Sequence, residues 1–305
     1  MRILITGGTG FIGRPLCAAL AADGHDLTVL SRRPERVSAR CGAGVTAWRA
    51  LAEWRDDCFF DAVINLAGEP IFDARWTAAR KRLLWDSRVA LTRELVARMS
   101  RARRTPAVLI SGSAIGFYGD QGAAAVNERA GPAGDFLGTL CAAWEKAAQE
   151  AEVRGVRVCL LRTGLVLHAG GGMLGRMLTP FRLGLGARLG DGRQWMSWIH
   201  LDDWVALTRH MLTDPHARGP FNLTAPEPVT NAVFTATLAC ALHRPALAVV
   251  PAWLLRAALG ERACLLLTSQ RVLPWRVGTT LGCRFRYAQL GEVFARGAPS
   301  GAGGR

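Results

Sequence analysis

Three glycines at a fixed interval are the first residues of this chain that point to chemistry. Gly7, Gly10 and Gly13 stand in Thr6-Gly7-Gly8-Thr9-Gly10-Phe11-Ile12-Gly13, the spacing G-x-x-G-x-x-G. The apolar run 2–6 before them reads as a strand, and the stretch 12–23 after them as a helix. At such a junction Gly7 permits the tight turn, Gly10 lets the backbone approach a pyrophosphate, and Gly13 lets helix pack closely on strand. The helix N-terminus, with Thr9, Phe11 and Ile12 around it, offers amides and a positive dipole end to phosphate oxygens. A bound dinucleotide is the expectation. The next strand, 26–31, ends in Ser31-Arg32-Arg33. An NAD(H) site usually carries a carboxylate there for the ribose 2′-hydroxyl. A hydroxyl and guanidinium groups suit a 2′-phosphate instead, which favours NADP(H).

The elements that must hold this loop are legible as an alternation. Strand-like runs at 2–6, 26–31, 61–66, 107–112 and 157–161 are interleaved with helix-like stretches at 12–23, 77–101 and 137–154. The runs are apolar without a two-residue alternation, as in strands buried on both faces. The pattern predicts an α/β fold of the Rossmann type, a doubly wound parallel sheet with helices on both sides and a smaller C-terminal substrate lobe. Segment 167–193 is rich in glycine and reads as loop with a short helix. Helices are expected at 202–212, capped by Asp202, and at 231–242 and 252–259. The tail 297–305, Gly- and Ala-rich, reads as disordered.

Bulk properties narrow the classes. Of 305 residues, 50% are hydrophobic and 20% charged, an ordinary globular balance. The net charge of +14 is carried by scattered arginines, with Lys81 and Lys146 the two lysines. Scattered charge does not make a nucleic-acid surface, so no nucleic-acid partner is expected. No run approaches a membrane span, and the N-terminal apolar run is too short for a signal peptide, which leaves the cytoplasm as the default. The eight cysteines form no C-x-x-C and no zinc spacing, so no metal is expected and free thiols are.

With these residues in view, the chain resembles the extended short-chain dehydrogenases. Within them it is most similar to the "epimerase family protein" subgroup, which is NAD-dependent epimerase/dehydratase-like with a C-terminal domain of unknown function. The motifs that carry the resemblance are ITGGTGFIG at the start, AVINLAGEP at 62–70, LISGSAIGFYGD at 109–120, LLRTGLVL at 160–167, PFRLGLGARLGDGRQW at 180–195, WIHLDDW at 198–204, GPFNLTAP at 219–226 and SQRVLPWRV at 269–277. The resemblance implies a cofactor domain over 1–225, with 167–200 contributing to the substrate lobe, and a C-terminal domain over 226–296 that completes the lobe. It implies that Leu66-Ala67-Gly68 and Glu69 run along the adenosine and ribose, and that Arg88 faces the cofactor where relatives often have asparagine. Ser111, Gly112 and the catalytic-type Ser113 end the fifth strand, and Arg162 to Val166 lie beside the nicotinamide. A homodimer through the 77–101 and 137–154 helices follows by the same analogy.

One departure bears on mechanism. Relatives use Tyr-x-x-x-Lys, the tyrosine as acid/base and the lysine to lower its pKa. The chain has two tyrosines, Tyr118 and Tyr287, and neither is followed by lysine four residues on. Aligned on Trp144-Glu145, Leu137 and Cys141 take the two places. Ser113, Tyr118 and His200 remain as catalytic candidates. Two functions stay open: an NADP(H)-dependent oxidoreductase or epimerase acting on an unidentified small molecule, and a non-catalytic NADP(H)-binding redox sensor or regulator that acts through a protein partner.

Overall fold

The structure is a computed structural model and describes residues 1–55 and 57–297. Seven strands form its main sheet: β1 (Arg2–Thr6), β2 (Asp26–Leu30), β3 (Thr46–Trp48), β4 (Ala62–Asn65), β5 (Val108–Ala114), β6 (Arg157–Thr163) and β7 (Gly219–Leu223). Their spatial order is β3-β2-β1-β4-β5-β6-β7, and every neighbouring pair is parallel. The order reverses between β1 and β4, which opens a crevice outside their carboxyl ends.

The strands are apolar on both faces because both are covered. Ile3, Ile5, Val29, Ile64, Ile110 and Leu161 pack with Leu16 and Leu20 of α1 (Gly13–Ala22) in one core. On the opposite face, Leu4, Val63, Leu109, Val158 and Leu160 pack with Leu95, Val96 and Met99. Each such side chain, fully buried, contributes about 1.5–3 kcal/mol.

The helix expected over 77–101 is divided. Thr77 caps α2 (Ala78–Trp85), a π-helical turn follows over Asp86–Ala90, and α3 (Leu91–Arg101) continues from it. Single π turns of this kind recur at functional sites. After it come α4 (Phe136–Gln149), α5 (Gly172–Arg182), α6 (Leu201–Thr213), α7 (Asn231–Ala241), α8 (Ala252–Leu259) and α9 (Leu290–Gly297).

Two expectations change. Segment 167–193 holds more order than its glycines imply: α5 spans eleven residues, and Leu165–His168 pairs in parallel with Trp198–His200. Its glycines are turns, with Gly172, Gly184, Gly190 and Gly192 all at positive φ. The cap of α6 is His200, not Asp202: the ring Nδ1 accepts the Asp202 amide at 3.1 Å, and Asp202 lies inside the first turn. Of the tail expected at 297–305, Gly297 ends α9 and 298–305 lie outside the described residues. No helix among the described residues is long and apolar enough to cross a membrane.

The C-terminal lobe has its own core of Leu167, Leu174, Phe181, Trp198, Phe234, Leu238, Leu290, Val293 and Phe294. It is also stitched into the sheet domain. Arg271–Val272 pairs with Ala125–Val126, and Gln270 Nε2 donates to the Ile115 and Gly119 carbonyls.

Candidate cofactor and catalytic site

The glycine loop lies between β1 and α1, at the crevice. Gly7 has φ +72°, and a Cβ there would come within 2.6 Å of the Leu66 carbonyl oxygen. At Gly13 a Cβ would run into the Gly7 carbonyl oxygen, so both glycines are demanded by the fold itself. Gly10 differs. Its Cβ would meet only the Gly7 oxygen, at 3.1 Å, and beyond that its face is open. Ile12 caps α1 without a side-chain acceptor, and the Phe11 and Ile12 amides have no backbone acceptor among the described residues. An open glycine face beside free amides fits a pyrophosphate.

Residues behind this loop set its partner loop after β4. Buried Asn65 accepts from the Thr6 hydroxyl at 2.7 Å and donates to Thr92 at 2.8 Å, and Thr92 accepts from the Trp144 indole at 3.0 Å. The Thr6 hydroxyl in turn accepts the Ala67 amide at 3.1 Å, and Ser111 accepts from Asn65 at 3.4 Å. Leu66, Ala67 and Gly68 are thereby fixed beside Gly7. A Cβ on Gly68 would lie 2.9 Å from the Arg88 guanidinium carbon, and one on Gly112 would lie 2.9 Å from the Trp144 ring.

The π turn explains how Arg88 arrives there. Its wider turn leaves the Leu84 carbonyl to Ser87 Oγ (3.1 Å) and Arg88 Nη1 (3.3 Å). Ser87 Oγ also accepts the Glu69 amide at 3.1 Å, and Arg88 Nη2 donates to the Glu69 carbonyl at 2.9 Å. Glu69 is thus held by its backbone. Its carboxylate sits between Arg32 Nη1 (2.5 Å) and Arg80 Nη1 (3.4 Å). Arg32 is otherwise exposed, and Ser31 Oγ accepts the Arg33 amide at 3.1 Å. The Glu69, Arg80 and Ser87 partnership was not visible in the sequence, where they are scattered across two segments. Neither was Arg40, whose Nη1 donates to the Thr9 carbonyl at 3.3 Å.

At the end of β5 the candidates are drawn into one buried network. Ser113 Oγ donates to Glu145 Oε1 at 2.6 Å. Arg162 grips the same carboxylate with two bonds of 2.9 Å, and both residues are buried. Arg162 Nη1 donates to the Tyr118 hydroxyl at 2.9 Å, which donates to Asn222 Oδ1 at 2.7 Å. The guanidinium also lies 3.6 Å above the Phe117 ring. Tyr118 is 0% exposed, and burial, outweighing Arg162, raises its pKa. A phenol so enclosed braces β5, β6 and β7 and is not placed to meet a substrate. Leu137 Cβ and Cys141 Sγ would lie 3.4 and 4.0 Å from a Cβ on Gly116. Burial first, then Glu145, pushes the Cys141 thiol up to about 12, so it does not replace a lysine.

His200 stands apart from Ser113's network, in the lobe. Its ring stacks on Tyr287 with centroids 3.8 Å apart. Val166 is buried on the neighbouring strand, paired with Ile199. Burial lowers the His200 pKa to about 4, against a pull upward from Asp202. The native state therefore takes up this proton later than the unfolded chain. Stability from this group is complete above pH 6.5 and is lost as the pH falls toward 4, by about 3 kcal/mol in all. His200→Asn keeps a helix-capping oxygen and removes the titration. Urea midpoints of the wild type should fall between pH 7 and 4.5 more steeply than those of His200→Asn; equal slopes would refute the assignment.

Comparison with known proteins follows the same lines. Residues 3–224 match the family model described as NAD dependent epimerase/dehydratase family, and 250–296 match a domain of unknown function, DUF1731. An epimerase family protein of Mycobacterium tuberculosis is 41% identical over 296 residues, 95% of each chain. The Homo sapiens epimerase family protein SDR39U1 is 37% identical over 299 residues, 96% of this chain and 98% of that one. The crystal structure of the human protein with NADPH superposes with TM-score 0.89 at 35% identity, over 98% and 100% of the two chains. MoeE5 in complex with UDP-glucose and NAD has TM-score 0.78 at 21% identity over 97% of each chain, a likeness of fold.

Proposed function

Since the chain belongs to the NAD dependent epimerase/dehydratase family, we propose that it binds NADP(H) and acts as an oxidoreductase or epimerase on a small hydroxyl- or carbonyl-bearing compound. The observation that carries the reading is the open face of Gly10 beside the unpartnered Phe11 and Ile12 amides, with Arg32 at the end of β2. The NADPH bound to the human relative supports it. In this reading the Phe11 and Ile12 amides hold the pyrophosphate, and Ser31 and Arg32 hold the 2′-phosphate. Glu69 holds Arg32 in place from the opposite wall, and Arg88 holds Glu69. The cofactor, when bound, supplies hydride transfer.

The proton belongs to Ser113. Its hydroxyl hydrogen is committed to Glu145, so its free lone pairs accept from a substrate hydroxyl. As the substrate proton moves to Ser113 Oγ, the serine's own moves to Glu145 Oε1. Arg162 already bonds both oxygens of that carboxylate. That same feature, with Leu137 and Cys141 in place of tyrosine and lysine, favours a second reading, an NADP(H)-binding regulator that acts through a protein partner.

Calorimetric titration tests the cofactor claim. Wild type should bind NADPH more tightly than NADH. Arg32→Ala should weaken NADPH by about tenfold or more, the worth of a charge-assisted bond, and leave NADH nearly unchanged. Failure of the folded wild type to bind either nucleotide would refute it. Turnover of a hydroxyl or carbonyl panel, lost in Ser113→Ala, separates enzyme from regulator.

A further inference from the structure

A cavity of about 170 Å³ lies in the C-terminal lobe, between α5, α7 and α9. Its wall is divided. Leu174, Leu178, Leu238, Leu242, Val293 and Phe294 make one side apolar, while His168, His200, Asp202 and Tyr287 line the other, with Arg182 among the lining residues.

The two imidazoles are prepared in the same way. His168 Nδ1 accepts the Gly170 amide at 3.1 Å, and His200 Nδ1 accepts the Asp202 amide at 3.1 Å. A ring nitrogen that accepts an N–H carries no hydrogen, so the ring hydrogen of each sits on Nε2. Neither Nε2 has a partner among the described residues. The ring centroids are 6.0 Å apart. Two N–H donors on neighbouring rings, facing an apolar wall across the cavity, call for one acceptor group that presents two oxygens. One guanidinium, Arg182, stands in the lining, and the Asp202 carboxylate there is engaged by its own neighbours, with Oδ2 3.6 Å from His200 Nδ1 and accepting from the Tyr287 hydroxyl at 3.4 Å.

We infer that this cavity is a binding site for a small apolar carboxylate, its oxygens taken by the His168 and His200 Nε2–H groups and its hydrocarbon part by the leucines, Val293 and Phe294. The size fits a single ring or a short branched chain, since an apolar cavity of about 150 Å³ holds benzene. The site is connected to the glycine loop through Phe11. That ring lies 6.5 Å from His168, and a Cβ on Gly171 or Gly172 would come within 2.9 Å and 2.8 Å of it. The inference does not rest on the cofactor reading, because its test contains no nucleotide.

The test is calorimetric titration of the full chain with benzoate, with toluene as the uncharged isostere. Wild type should bind benzoate more tightly than toluene. His168→Leu should weaken benzoate about tenfold, the loss of one hydrogen bond to a charged group, and leave toluene unchanged. Leu178→Trp and Ala241→Leu fill the cavity from different walls, and each should abolish both, with thermal unfolding confirming which variants are folded. Toluene bound as tightly as benzoate, benzoate binding unaltered in a folded cavity-filled variant, or no binding by the wild type would each overturn the assignment.

Discussion

Replacement of Arg162 by methionine should cost about 3–5 kcal/mol of folding stability, a large share of the roughly 5–15 kcal/mol that holds a domain of this kind. Methionine fills most of the space but leaves Glu145 ionised and buried with the Ser113 hydroxyl as its remaining described side-chain partner. It also takes the donor from the Tyr118 hydroxyl, which then depends on Asn222 alone. The double variant Arg162→Met/Glu145→Leu removes the stranded charge and should recover much of the loss, because a well-packed apolar pair often equals a buried ion pair. Denaturant unfolding measures both. A single variant within 1 kcal/mol of wild type, on the order of one surface interaction, would show that water reaches Glu145.

The second large effect separates the loop's two kinds of glycine. Gly10→Val should leave the fold intact, because the Cβ it adds meets only the Gly7 oxygen, at 3.1 Å. It should weaken NADPH by about 100-fold or more, some 3 kcal/mol, by standing where the pyrophosphate must approach. Gly13→Ala should instead lower the melting temperature, since its Cβ collides with Gly7 and Gly8 backbone. Calorimetry and thermal unfolding on the two variants give opposite patterns if the loop works as described. Unchanged NADPH affinity in a folded Gly10→Val chain would remove the pyrophosphate from this loop.

The parts of this molecule that could be read in the sequence are those set by near neighbours. The strand of β1, the glycine spacing and the first turn of α1 lie within thirteen residues, and apolar runs mark β4, β5 and β6 directly. Ser113 and Arg162 were found as strand ends. What they do there was not, because the Glu145 that joins them is contributed by α4, and an isolated glutamate on a helix reads as a solvated face. Tyr118 was a catalytic candidate on sequence distance from Ser113, and the enclosing partner, Asn222, stands 104 residues away. His200 caps a helix in place of Asp202 because a ring nitrogen can accept an amide as a carboxylate does, a role that side-chain preference tables do not favour for histidine. Short strands in 165–200 were hidden by the glycines that turn the chain between them.

Polymer order gives the stitching of the lobe another meaning. Gln270, Val272 and Leu273, which follow all seven strands in the chain, occupy the Gly119 carbonyl, the Ser197 hydroxyl and the Asn222 side chain, and the amide of Tyr287 answers buried Asp203. A nascent chain that has finished its seventh strand still has those polar atoms waiting for later residues. Segment 270–287 therefore closes the sheet domain only after all seven strands have been synthesised.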